Sequence, residues 1–127
     1  MKKNEASFQT RFGHWLEENW TESCPLELKH TKAGTYNVKQ WVQKQSHQPR
    51  ALLKAKQSCL YWKISDMSRE CKPVDCIFFY RSPAYLVIWW DKYNEFTIIA
   101  IENLLPYFDK SIKYEDAVRI SKHHGAL

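Results

Sequence analysis

Glu27 and Lys29 stand two positions apart in the run Leu26-Glu27-Leu28-Lys29, so a carboxylate and an ammonium share one side of an extended chain. Polarity alternates here with period two, which sends Leu26 and Leu28 to one face of a strand and Glu27 and Lys29 to the other, about 7 Å apart along its edge. A carboxylate so placed is a ligand for a hard divalent cation. Magnesium, held by one or two carboxylates together with water and substrate phosphate, suits that donor type. The neighbouring ammonium can orient or deprotonate an attacking water, or neutralise charge that develops on a phosphate. Taken alone, the same spacing also describes an exposed strand face with an ordinary ion pair.

Two further acids strengthen the first reading. Asp75 alternates with Ile77 and Phe79 on a run that reads as a strand buried on both sides, where an unpaired carboxylate is costly enough to require a metal or a cationic partner. Its alternative is a strand-start carboxylate still reached by solvent. Glu5 falls inside the apolar stripe of the first predicted helix, whereas Glu17 and Glu18 point away from it. There the alternative is an acid placed favourably against a helix N-terminus.

The elements that must position these groups follow from periodicity. Phe8, Phe12, Trp15 and Leu16 recur at helical spacing and predict a helix from about Asn4, its cap, to Asn19. The Glu-x-Lys strand comes next. Thr31 to Gln45 is polar, contains Gly34, and reads as a loop with an extended piece around Tyr36 to Val38. Ser46 is the expected cap of a second helix reaching about Ser58, with Pro49 tolerated in its first turn. Leu60–Ser65, Val74–Tyr80, Ala84–Trp90 and Glu95–Ile101 are rich in β-branched and aromatic residues and predict a meander, with turns at Arg81-Ser82-Pro83 and Asp91–Asn94. A last helix is expected from about Lys113 to Lys122, with Ser111 as a candidate cap. Residues 1–127 thus predict a single α/β domain, a mixed sheet flanked by helices.

Composition narrows the partners. A net charge of +5 and a pI near 9.0 favour a polyanion such as nucleic acid. His30, Lys32, Lys39, Lys44, His47 and Arg50 follow the Glu-x-Lys strand, with Lys54 and Lys56 beyond them and Tyr36 and Trp41 interleaved. Such cations track phosphates, and the aromatics could stack on exposed bases; a solvated loop with one buried Trp is the plainer account. Lys63 is a further phosphate candidate. No helix-turn-helix, zinc-finger or Walker pattern supports base-specific readout. Cys24, Cys59, Cys71 and Cys76 read as reduced thiols in a cytoplasmic chain, and a zinc-stabilised adaptor is the rival that they nominate. Neither a secretory h-region nor a bilayer-length apolar run is present, so no membrane partner is expected.

The order Glu5 in the first helix, Glu27-Leu28-Lys29 on a strand and His47-Gln48 opening the next helix, with a PD-like Pro73-Val74-Asp75, resembles the RecU-type branch of the PD-(D/E)XK Holliday-junction resolvases over roughly Asn4 to Ile101. The resemblance implies a restriction-endonuclease-like core and a magnesium-dependent DNA endonuclease, with manganese a possible substitute and branched DNA as substrate. It implies that Glu27 binds metal, Lys29 serves the water nucleophile, Gln48 supports the site and Glu5 acts at one remove through water. Products with 5′-phosphate and 3′-hydroxyl ends, a homodimer, and a role in DNA recombination or repair are implied with it. One feature departs from the family pattern: Thr10 to Leu26 holds no Asp where an acid is usual on the preceding strand. Asp75 is therefore expected to supply that ligand, with Asp66 in reserve. A nicking or flap endonuclease of the same superfamily, and a non-catalytic nucleic-acid-binding module with this fold, are the alternatives.

Overall fold

The computed structural model describes the backbone of residues 3–63 and 76–127, and the side chains of 7–61 and 76–127. Helix α1 (Lys3–Asn19) leads into β1 (Leu26–Thr31), which is followed by β2 (Thr35–Tyr36), α2 (Val38–Lys44) and α3 (His47–Gln57). Strands β3 (Cys59–Lys63) and β4 (Cys76–Tyr80) pair with each other, and β5 (Tyr85–Trp90) and β6 (Glu95–Ala100) form the next hairpin. A short helix α4 (Ile101–Leu104), strand β7 (Ile112–Lys113), helix α5 (Tyr114–Ile120) and strand β8 (His123–Gly125) complete the order. The main sheet runs β1-β5-β6-β8, with β1 parallel to β5 and the other pairs antiparallel, so this is a small α/β domain with a mixed sheet.

Alternation on β5 and β6 divides the core in two. Tyr85, Val87 and Trp89 join Phe96 and Ile98 on the face that Phe8 and Phe12 of α1 cover. Phe12 is fully buried, with Phe8 5.5 Å away and Phe96 5.4 Å away between ring centroids. Each such ring contributes about 1.5–3 kcal/mol by leaving water, which is what fixes α1 against the sheet. Leu86, Ile88, Trp90 and Ile99 face the other way, towards Trp41 of α2 and Leu52 and Ala55 of α3. Trp90 is buried there, and its indole N–H donates to Thr97 Oγ1 at 3.0 Å, so the polar edge of the largest core side chain is satisfied.

Several predicted elements differ from what is seen. The stretch read as a loop from Thr31 to Gln45 contains α2, whose first turn is capped by Asn37 accepting from the Gln40 N–H at 3.0 Å. Ser46 makes no such bond; α3 begins at His47, and Pro49 fits because first-turn N–H groups have no helical partner. The four strands are not one meander. The β3–β4 pair stands apart from the main sheet, and 81–84 link two sheets instead of turning a hairpin. The pair is tied to the end of α3 through Arg81 N–H to Ser58 O and Ser82 N–H to Ala55 O, both 2.9 Å. The predicted turn at Asp91–Asn94 does join β5 to β6, and Asn94 takes the left-handed backbone (φ 52°) that such a turn requires. The last helix is shorter than expected because 123–125 pair with β6 instead.

That pairing is pinned by Lys122, whose Nζ donates to Glu22 Oε1 at 2.8 Å and to the Tyr85 hydroxyl at 3.1 Å while lying 5.2 Å from the Trp20 ring centre. Lys122 holds the Glu22 carboxyl below its ordinary 4.5, chiefly by that hydrogen bond. Both partners are about two-fifths exposed, 41% and 39%, so solvent screens the pair and about 0.5–1 kcal/mol is the expected worth. Because the folded pKa of Glu22 is depressed, its contribution is complete above the unfolded value and is lost as pH falls through the folded one. Lys122→Met should therefore lower the melting temperature by about 2–5 °C near neutral pH, with the gap to the parent closing below about pH 4.5. Thermal scans across pH check this, and a gap that persists unchanged into acid would assign the effect to packing on Trp20 alone.

Candidate functional site

The alternation predicted for β1 is present, and packing decides which side each residue takes. Leu26 and Leu28 pack with the α1-side core, so Glu27 and Lys29 face α2 and α3. In register they lie beside Leu86 and Ile88 of β5. Among the described residues β1 is an edge of the main sheet, and its far side carries no further strand of that sheet.

Lys29 Nζ lies 3.7 Å from Glu27 Oε1 and donates to Gln45 Oε1 at 2.7 Å. Their side chains are 17% and 29% exposed for Lys29 and Glu27, so the pair is partly withdrawn from water yet reachable. Burial pushes the Glu27 carboxyl above its ordinary 4.5, and the charges of Lys29 and His47 oppose that rise without cancelling it. A carboxylate so placed is short of positive charge. Burial raises the Tyr36 hydroxyl far above its usual range, and the charge on Glu27 adds to the effect, so Tyr36 remains a neutral donor.

Two clefts flank this pair: Glu27 lines one, and Gln45, which accepts from Lys29, lines the other. One, about 310 Å³, has Glu27, His47 and Gln48 on its polar side. Its apolar wall is formed by Ala51, Leu52 and Leu60 together with Ile77 and Phe79 of β4. The other, about 500 Å³, is polar, with Thr31, Asn37, Gln40, Lys44 and Gln45 among its walls.

Gln48 is near the pair, but its Oε1 accepts from the Trp41 indole N–H at 2.8 Å, which ties α2 to α3. The amide thereby fixes the helices that carry Gln45 and His47. Trp41 itself is 3% exposed and cannot stack on a base, so the buried-Trp account of that segment holds. Among the basic residues, His30 and Lys44 line the polar cleft and His47 the apolar one, while Lys32, Lys39 and Arg50 are exposed. His30 projects from the opposite face of β1, where its Nε2 lies 4.0 Å from Asp91 Oδ1. Lys56 is engaged by Glu102 at 3.5 Å. The side chain of Lys63 lies outside the described residues.

Glu5 belongs to α1, on the sheet face opposite Glu27, and its side chain is not among those described. Asp75 and Asp66 lie outside the described residues. The burial argument for Asp75 is corrected, because β4 is not enclosed on both sides: Ile77, Phe78 and Tyr80 are 45%, 60% and 66% exposed. Among the described residues, no three His, Cys, Asp or Glu side chains form a group that could hold a metal ion, and no helix is long and apolar enough to cross a membrane. Sequence reasoning missed Gln45, the closest partner of Lys29, because a contact spanning 16 positions leaves no periodic trace.

Gln48→Leu separates a support role from a chemical one. It strands the Trp41 N–H in the core, at a cost of about 1–3 kcal/mol, and urea titration should show that loss, with Gln48→Glu, which keeps an acceptor, recovering part of it. An unchanged midpoint for the leucine variant would remove Gln48 from the scaffold.

No protein-family model, no curated protein and no solved structure matches this chain.

Proposed function

We propose that the chain is a magnesium-dependent DNA endonuclease of the PD-(D/E)XK type with a restriction-endonuclease-like core, acting on branched DNA. The observation that carries this reading is the Glu27–Lys29 pair, 3.7 Å apart on an edge strand, with Glu27 on the wall of the apolar cleft and Gln45, the partner of Lys29, on the wall of the polar one. The net charge of +5 and the exposed Lys32, Lys39, Lys44, His47 and Arg50 suit a phosphate backbone.

The donor set fits a hard divalent cation in one respect. Glu27 is a half-buried carboxylate whose charge is under-compensated by its neighbours, and carboxylate oxygen is the ligand type that magnesium takes. In this reading Glu27 holds the cation, with Asp75 as the second acid; Glu5, on the helix that covers the other face of the sheet, has no part in it. Strand β4 brings Ile77 and Phe79 to the same cleft as Glu27; Asp66 stays the reserve for the second acid. Bound magnesium, or manganese in its place, would polarise the phosphate and supply an activated water. The chain's own contribution is positional. Gln45 holds the Lys29 ammonium at a fixed point, where it orients the attacking water and offsets the negative charge that grows on the phosphate. His47 adds positive charge beside Glu27 when protonated, and the neutral Tyr36 hydroxyl adds none of its own. Homodimerisation, with the exposed aromatics of the β3–β4 pair at the interface, would provide the two sites that symmetric nicking needs.

A synthetic four-way junction, a flap, a nicked duplex and a linear duplex, each incubated in magnesium with and without chelator, test the assignment. Junction cleavage that chelator abolishes is expected. Lys29→Ala should slow it by about 10²–10³-fold while leaving junction affinity within a few-fold, and Glu27→Gln should remove the thermal stabilisation that magnesium gives the parent. Unchanged cleavage by Lys29→Ala would refute its role, and binding without cleavage by the parent would leave a non-catalytic binding module.

A further inference from the structure

We infer that the apolar cleft between α3 and β4 is a slot for one unpaired nucleobase next to the scissile phosphate, so that the site selects DNA with a locally opened strand. The inference rests on the nuclease reading and adds to it the feature of the substrate that the site requires.

Continuity is the first argument. Glu27, which holds the cation that meets the phosphate in that reading, and His47 also form the polar side of the slot. Whatever enters must therefore be apolar and yet joined directly to an anion. A nucleotide is such a group, since its base is a flat ring system attached through a sugar to its own phosphate.

The contrast between the two clefts is the second. Beyond Gln45, the partner of Lys29, the polar cleft presents hydroxyls, amides and the Lys44 ammonium, which suit sugar and phosphate, and at about 500 Å³ it has room for the strand to continue. The slot offers hydrocarbon, the half-buried Phe79 ring and few polar groups. Its volume of about 310 Å³ is at the lower end of small-molecule sites, which begin near ~300 Å³. Gln48 has its carbonyl oxygen occupied by Trp41, which leaves little for reading one base against another. Stacking on an aromatic side chain is sequence-tolerant because every base has a π-face.

Base pairing supplies the selectivity. A base inside a duplex is stacked and paired, and taking it out costs a few kcal/mol, least where it is already unpaired. A slot walled by α3 on one side and β4 on the other admits a base only after it has left the stack, so bulges, flaps and branch points enter at the smallest cost.

Three labelled duplexes test the slot by fluorescence anisotropy in chelator: one fully paired, one with a single-nucleotide bulge, and one whose bulge is abasic. The parent should bind the base-containing bulge about tenfold more tightly than the abasic one. Ala51→Phe, which fills the slot from a half-buried wall position, should erase that difference, and Phe79→Ala, which removes the ring, should reduce it if the first variant does not fold. Equal affinity of the parent for the two bulges, alongside magnesium-dependent cleavage, would overturn the slot and leave the nuclease reading standing. A difference that survives in both variants would place the base elsewhere and also overturn it. Neither binding nor cleavage of any probe would overturn both readings together.

Discussion

The face on which β1 presents Glu27 and Lys29 is set by hydrophobic alternation, and everything at the site depends on it. Parallel pairing with β5 matches Glu27 to Leu86 and Lys29 to Ile88, while Leu26 and Leu28 join the aromatic core beneath α1. A slip of one residue would reverse every side chain and drive a carboxylate and an ammonium among Phe8, Phe12 and Trp89. The cost of burying unpaired charge far exceeds the gain from any one contact, so the register is strongly specified. Two leucines on one face thus position the two charges on the other.

What surrounds that pair is held by weaker means. Helix α2 has only seven residues, too few to persist alone, and it is stabilised by the burial of Val38 and Trp41 and by the Asn37 cap. The Trp41–Gln48 hydrogen bond then links α2 to the first turn of α3, and through this link Gln45 and His47 are brought to bear on Lys29 and Glu27. The electrostatic result is incomplete by design of the surroundings. Burial raises the Glu27 pKa more than Lys29 and His47 lower it, so the folded chain leaves a carboxylate that gains from further positive charge. Lys29, in contrast, has an acid on one side and an amide oxygen on the other, and its ammonium is well satisfied. One member of the pair is desolvated without full compensation and the other is fixed by its partners.

Periodicity made α1, β1 and α3 legible in the sequence, because each buries one face and repeats its pattern, while the β5–β6 hairpin was legible as two β-branched and aromatic runs around a turn. Helix α2 shows the same signal in Val38, Trp41 and Val42, but two turns embedded in polar residues after Gly34 do not stand out. Topology was less accessible. Strands β4 and β5 read alike as apolar runs, yet all six residues of β5 are buried while the outer face of β4 is open to solvent. Nothing local distinguishes a strand enclosed by two layers from one in a separate hairpin, since the difference is made by which partners arrive from elsewhere in the chain. The burial argument for Asp75 failed for the same reason. At the site, the Glu27–Lys29 pair was legible from spacing alone, whereas Gln45 depended on the course of α2.

The two sides of the apolar cleft differ in how they are held, and that difference bears on specificity. Glu27 belongs to a sheet clamped by helices on both faces, whereas Phe79 belongs to a two-stranded pair, a unit that is at best marginally stable by itself. This pair keeps its place through the burial of Leu60 against the core and the backbone bonds from Arg81 and Ser82 to the end of α3. Changes in β3 or β4 can therefore reshape the apolar wall without disturbing the register that places Glu27 and Lys29. A scaffold arranged in this way separates the Glu27–Lys29 pair from the apolar wall of the cleft, and each can vary while the other is kept.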